Sequence, residues 1–183
     1  MKRWTHVKWT EAGQVAAVLG WPASADDGKS PEEMFDALRA EGRMEEAAMF
    51  LGQALPRFEA VAWAARSVRD LAPVEPNTPE GEALKAALLW LQDPSEHRRR
   101  AAFEAAQQAS DASPQRLCAL AVFFSGGSMA PENLQPVPPP KDVAGKFAAS
   151  AVLLAATAAS ERSAALAGAF TLGDELASGR AGG

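Results

Sequence analysis

At four points the chain sets a small polar residue directly before a proline: Ser30-Pro31, Thr78-Pro79, Asp93-Pro94 and Ser113-Pro114. A side-chain oxygen at a helix N-cap accepts from the free amides of the first turn. Proline at the first helical position sacrifices no hydrogen bond, because its amide has no partner there. Each pair therefore reads as a helix start. Glu33 stands three residues after Ser30 and completes a capping box; Glu96 stands at the same distance from Asp93 in a looser version of it. Alanine is the commonest residue, tyrosine is absent and β-branched residues are few, a composition that favours closely packed helices over sheets.

The remaining punctuation completes an all-helical map. Helices are expected over Glu11 to Gly20, Pro31 to Arg39, the run MEEAAMFLGQAL after Gly42, and PRFEAVAWAARSVRDLA from Pro56. Further helices are expected over Pro79 to Leu91, Pro94 to Ala109, Pro114 to Phe124, Asp142 to Ala159 and Glu161 to Ala177. Val61, Ala64, Ala65 and Val68 recur at helical spacing, as do Leu84, Ala87, Leu88 and Leu91, so each set forms one apolar stripe. The fold class is all-α: antiparallel helical hairpins in an irregular solenoid-like or bundle array of about eight or nine helices. Residues 1–28 read as an N-terminal segment with a short helix and 29–178 as a single helical domain. A Gly/Pro-rich connector covers 125–141, and 179–183 read as a disordered tail.

Composition also narrows the function classes. The chain carries 18 Lys and Arg against 23 Asp and Glu, a formal charge of −5, the wrong sign for a binder of nucleic acid or anionic membranes. Cys118 is the one cysteine, which excludes an intrachain disulfide and a cysteine-rich zinc site, and a cytoplasmic location is expected. The apolar run Phe147 to Ser160 ends at Glu161 and Arg162, short of a membrane span, and VAAVLGW near the start is too short for a secretory signal core.

No catalytic constellation emerges, and no cofactor or metal is expected. The histidines are His6 and His97, the latter beside three arginines, and Cys118 lies in an apolar run where a thiol packs as a small hydrophobe. The loop Ser125, Gly126, Gly127, Ser128 has the glycines of a phosphate cradle, yet it follows a helix and lacks a nucleotide loop's Gly-Lys ending; a left-handed helix stop explains it. Beyond it, Pro136, Pro138, Pro139 and Pro140 favour an extended strap, anchored by Met129, Leu134 and Val137, or a segment displayed to a partner. Arg98, Arg99 and Arg100 fall in early helical turns where the macrodipole disfavours cations, so Glu96 and Glu104 are expected to offset them. Trp63 and Trp90 read as core, whereas Trp4 and Trp9, in a basic and less helical segment, read as a contact surface.

The motifs LPRFEAVAWA, WLQDPSEHRRRAA and FFSGGSMAP, in that order, resemble those of an uncharacterised family of small all-helical bacterial proteins associated with type VI secretion gene clusters. The resemblance spans Met49 to Ser178. Where such proteins tend to carry a second aromatic close to Trp63 and a Trp beside Phe123, this chain has Ala62 and Phe124, so these aromatics do not read as a fixed recognition site. The resemblance implies context rather than an activity. The expectation is a non-enzymatic adaptor or chaperone whose partner is a secretion component or effector, touched through Trp4, Trp9, Arg98, Arg99, Ser125 to Ser128, Pro138 and Pro139. Two alternatives stand beside it: an enzyme or anionic small-molecule binder that uses the arginine cluster and Gly-Gly turn, and a self-associating homo-oligomer. Arginines facing a concave pocket would support the first alternative; arginines paired with internal acids would sink it.

Overall fold

Helix starts match the polar-proline signals at three of the four points in a computed structural model that describes residues 3–180. The nine helices among the described residues, with no strand, are α1 (Ala12–Leu19), α2 (Pro31–Ala40), α3 (Met44–Ala54), α4 (Arg57–Leu71), α5 (Pro79–Gln92), α6 (Glu96–Gln108), α7 (Pro114–Phe124), α8 (Val143–Thr157) and α9 (Arg162–Ala177). Ser30 Oγ accepts from the Glu33 amide at 3.4 Å while the Glu33 carboxylate accepts from the Ser30 amide at 2.8 Å, the expected reciprocal box. Thr78 and Ser113 cap α5 and α7 through the amides of Gly81 and Arg116. The fourth start is corrected by two residues. Asp93 ends α5, its amide still bonded to the Leu89 carbonyl, and Ser95 caps α6. The Asp93 carboxylate is engaged by Arg98 Nε at 2.9 Å instead of by the first turn.

Helix α8 occupies the centre, packed against α3, α4, α7 and α9; α4 in turn meets α5, α7 and α9. The pairs α3 with α8, α4 with α8 and α4 with α9 join elements far apart in the chain, so the array is a bundle rather than a solenoid, in which each repeat meets only its neighbours. Alanine content explains the density. The faces that α8 buries consist of Ala144, Gly145, Ala148, Ala149, Ala151, Val152, Ala155 and Ala156. Where α3 crosses α8 the backbones touch: a Cβ on Gly52 would lie 2.6 Å from the Gly145 carbonyl oxygen. Bulkier residues fill the surrounding layers. The stripe Val61, Ala64, Ala65 and Val68 is fully buried, as is Trp63, whose Nε1 donates to the Ala169 carbonyl at 2.8 Å.

The N-terminal segment corrects one expectation outright. Trp4 is not exposed; it is fully buried beside Phe35, and its Nε1 donates to Asp174 Oδ1 at 2.7 Å on α9. Arg3 reinforces the join, bridging Asp36 on α2 and Asp174, and the His6 amide donates to the Ala177 carbonyl at 2.9 Å. Asp174 also meets Arg180 at 3.0 Å, so Gly179 and Arg180 at the start of the expected tail are held against α9, while 181–183 lie outside the described residues. None of the helices among the described residues is long and apolar enough to cross a membrane.

Cys118 is fully buried in α7, and burial pushes its thiol well above the ordinary cysteine range. Ellman's reagent at pH 8 should therefore leave the native thiol unmodified and release one equivalent of chromophore once denaturant unfolds the chain. Rapid reaction of the native protein would contradict this packing.

Candidate functional site

Two assemblies concentrate the polar chemistry, and the first is the arginine and Gly-Gly pairing. Arg99 is 4 % exposed, on a turn of α6 that faces the end of α7. Its Nε and Nη2 donate to the two oxygens of Glu96, both at 2.7 Å, and Nη2 also reaches the Ser128 carbonyl at 2.8 Å. Nη1 donates to the Phe123 carbonyl, and the guanidinium lies 4.6 Å from the centroid of the Phe123 ring. Gly127 closes the other side with φ of 65°, and a Cβ there would sit 2.7 Å from Arg99 Nε. The glycine is required twice, once by the left-handed backbone and once by the guanidinium against it. The Gly-Gly turn thus cradles a cation of the same chain.

Neighbouring arginines complete a clamp on the connector. Arg57 donates to the Ser125 carbonyl at 3.0 Å, Arg100 to the Ala130 carbonyl at 2.9 Å and to Glu96 at 2.8 Å, with Glu132 3.5 Å away. Arg98 turns instead to Asp93. Hydrogen bonds from Arg99 and Arg100 hold the Glu96 carboxyl below the usual glutamate range, Arg99 contributing most. Glu104, expected to share this role, forms no salt bridge among the described residues, and Glu96 serves both arginines. Ser128 Oγ accepts from the amides of Ala130 and Val137, and the Met129 amide donates to the Val137 carbonyl, so the connector closes on itself as a loop. Leu134 and Val137, expected as anchors, are 57 % and 47 % exposed; Pro139 is buried and Pro138 is exposed. Arg57, Phe58, Trp90, Glu96, Arg99 and Gly126 border a cleft of about 370 Å³. Arg99 has spent nearly all its donors internally, and the Glu96 carboxylate shares the cleft.

The second assembly is a groove of about 670 Å³ between the N-terminal segment with α1 on one side and the α3–α4 junction on the other. Trp9, Val18, Ala54, Leu55 and Pro56 supply apolar lining, and Lys8, Arg57 and Lys141 stand around it with exposed side chains. Among the described residues, Lys8, Arg39, Arg57, Arg66 and Lys141 are the cations that form no salt bridge, and three of them border this one groove. None of the lining residues is a carboxylate. Two glutamines, Gln14 and Gln53, complete the polar lining. Gln14 Oε1 already accepts from the Thr10 and Glu11 amides at 2.9 and 3.2 Å. Gln53, 8 % exposed, has its Oε1 sealed from solvent without a hydrogen bond.

The candidates named from the sequence therefore separate. Arg99 and Ser125 to Ser128 join in the clamp, Arg98 pairs beside it, Trp4 lies in the core, and Trp9 alone reaches the groove. Sequence reasoning missed Lys8, Gln14, Gln53, Arg57 and Lys141, which come from separate segments and share no motif. Among the described residues no three His, Cys, Asp or Glu side chains gather as a metal site requires.

Residues 34–177 match the model of a family described as Family of unknown function (DUF6931). No curated protein matches the chain, and no solved structure does.

Proposed function

We propose that this chain, which belongs to the DUF6931 family of unknown function, is a non-enzymatic accessory protein, an adaptor or chaperone that holds a component or effector of a bacterial type VI secretion system. The observation that carries the binding role is the groove at Trp9, where three cations without carboxylate partners surround an apolar lining. Aromatic and arginine side chains are enriched at contact sites, and Trp9 and Arg57 supply both here. The secretion context rests on the resemblance of the three ordered motifs. The rival reading asks for the arginine cluster to be free for an anionic ligand; Arg98 and Arg99 border clefts, but Asp93, Glu96, Glu132 and the connector carbonyls engage the cluster, which favours the protein-binding reading.

Affinity capture from cells expressing the secretion genes tests the proposal. A deletion of residues 1–10 would strip Trp4 from the core, so point changes at exposed positions are the cleaner probe. The wild-type chain should retain a secretion component that the Lys8→Glu/Lys141→Glu double variant loses, with the thermal midpoint of the variant unchanged. A wild-type chain that retains no secretion component defeats the proposal.

A further inference from the structure

From the three cations without carboxylate partners around this apolar groove, we infer that its occupant is an acidic linear segment of a protein partner, carrying aspartate or glutamate next to at least one apolar side chain. The inference rests on the protein-binding reading above and names the chemistry of what is bound.

Four observations converge on it. The chain as a whole is acidic, yet three of its five described cations lacking a salt bridge, Lys8, Arg57 and Lys141, stand at one groove. An acidic protein that leaves cations without carboxylate partners at one concave place sets a local field opposite to its own average, which attracts and orients an anionic segment. Neither glutamine oxygen of the lining is open to those cations: Gln14 Oε1 is occupied by backbone amides and Gln53 Oε1 is sealed from solvent. Carboxylates accept and never donate when ionised, so they match Lys8, Arg57 and Lys141; a basic segment would be repelled by them. The apolar part is equally specific. Trp9, Val18 and Leu55 offer an anchor surface that an inorganic anion or a purely charged chain would leave uncovered. The volume of about 670 Å³ accommodates a few side chains and not a folded domain, so the ligand is a segment.

The test is selection of a random twelve-residue peptide library displayed on phage against the full-length chain, followed by fluorescence polarisation of the enriched peptides. Enriched peptides are expected to be net acidic with an interspersed Leu, Ile, Val or Phe. Their affinity should fall roughly tenfold or more in Lys8→Glu/Lys141→Glu and weaken as salt is raised. Val18→Asp, at the apolar lining, should also weaken binding while leaving the fold intact by circular dichroism. Enrichment of neutral or basic peptides, acidic peptides that bind the double variant equally well, or no enrichment overturns the inference. The adaptor reading fails separately: it falls if no secretion component is captured while acidic peptides still bind. It stands, and the groove inference falls, if a captured component is held equally by the double variant. A dimer of this chain that occupies the groove, seen as a doubled solution mass abolished by Lys8→Glu/Lys141→Glu, would also overturn the inference.

Discussion

Replacing Arg99 by alanine is expected to lower the unfolding free energy by about 3 kcal/mol and to loosen the 125–141 connector. The estimate follows from what the guanidinium leaves behind. The Phe123 carbonyl sits in buried surroundings and the Ser128 carbonyl in partly buried ones, and both lose a charged donor. A buried acceptor left unmatched costs about 1–3 kcal/mol, and the cavity between Phe123 and Gly127 adds lost packing. Glu96 adds less, because its carboxylate is half exposed and water re-solvates it. Arg99→Lys should recover only a minor part: a point ammonium cannot reach Glu96, Phe123 and Ser128 together, nor lie flat between a ring and a glycine. Urea denaturation gives the magnitude, and limited proteolysis should cut the variant within the connector at protease levels that spare the wild type. The pH dependence has a definite sign. Glu96 has a folded value below its unfolded one of about 4.3, so its contribution is fully present above that pH and is lost as the pH falls through the folded value. The gap between wild type and Arg99→Ala should narrow over that acid range. An Arg99→Ala chain as stable as the wild type would show the clamp to be dispensable.

How far such a clamp can be read ahead of the structure depends on the range of its contacts. Ser30, Thr78 and Ser113 cap helices with the residues that follow them, and a three-residue interaction leaves its pattern in the sequence. Asp93-Pro94-Ser95-Glu96 holds two competing caps in four residues. Ser95 is the one that caps α6, while Arg98 engages the aspartate. The early-turn arginines and Glu96 were legible as a pairing because their spacing is three and four residues. Their enclosure by Gly127 and the connector carbonyls was not, since it needs α7 to end opposite α6. Trp4 shows the limit most clearly: its hydrogen-bond partner lies 170 residues away, and an indole among basic residues reads as exposed until α9 is placed over it. The groove has the same character. Lys8, Arg57 and Lys141 are unremarkable in their own segments, and meaning arises only where three segments bring cations without carboxylate partners to one groove.

The largest effect should come from the centre of the bundle, where the same substitution at two helical glycines is expected to change stability in opposite directions. At Gly145 in α8 an added Cβ would lie 2.7 Å from the Gly52 carbonyl oxygen and 2.9 Å from Gln53 Oε1. The first obstacle is backbone, held by the hydrogen bonds of α3, so it cannot swing aside as a side-chain end would. Either α3 moves off α8 or the contact stays compressed, and α8 is fixed on its other sides by α4, α7 and α9. Alanine should gain about 1 kcal/mol of helix propensity and lose more than that to overpacking, a net destabilisation of about 3 kcal/mol; valine should cost still more, enough to leave little folded chain at 37 °C. Gly168 in α9 is the control. It is exposed, and an added Cβ would meet nothing within 4 Å, so only the propensity and unfolded-state terms remain. Gly168→Ala should stabilise by about 0.5–1 kcal/mol. Chemical denaturation of the pair in one buffer therefore separates packing from propensity with a spread of roughly 4 kcal/mol between two formally identical changes. If Gly145→Ala proves neutral or stabilising, α3 and α8 do not cross in backbone contact. The floor of the groove at Gln53, which rests on that crossing, would then lose its support as well.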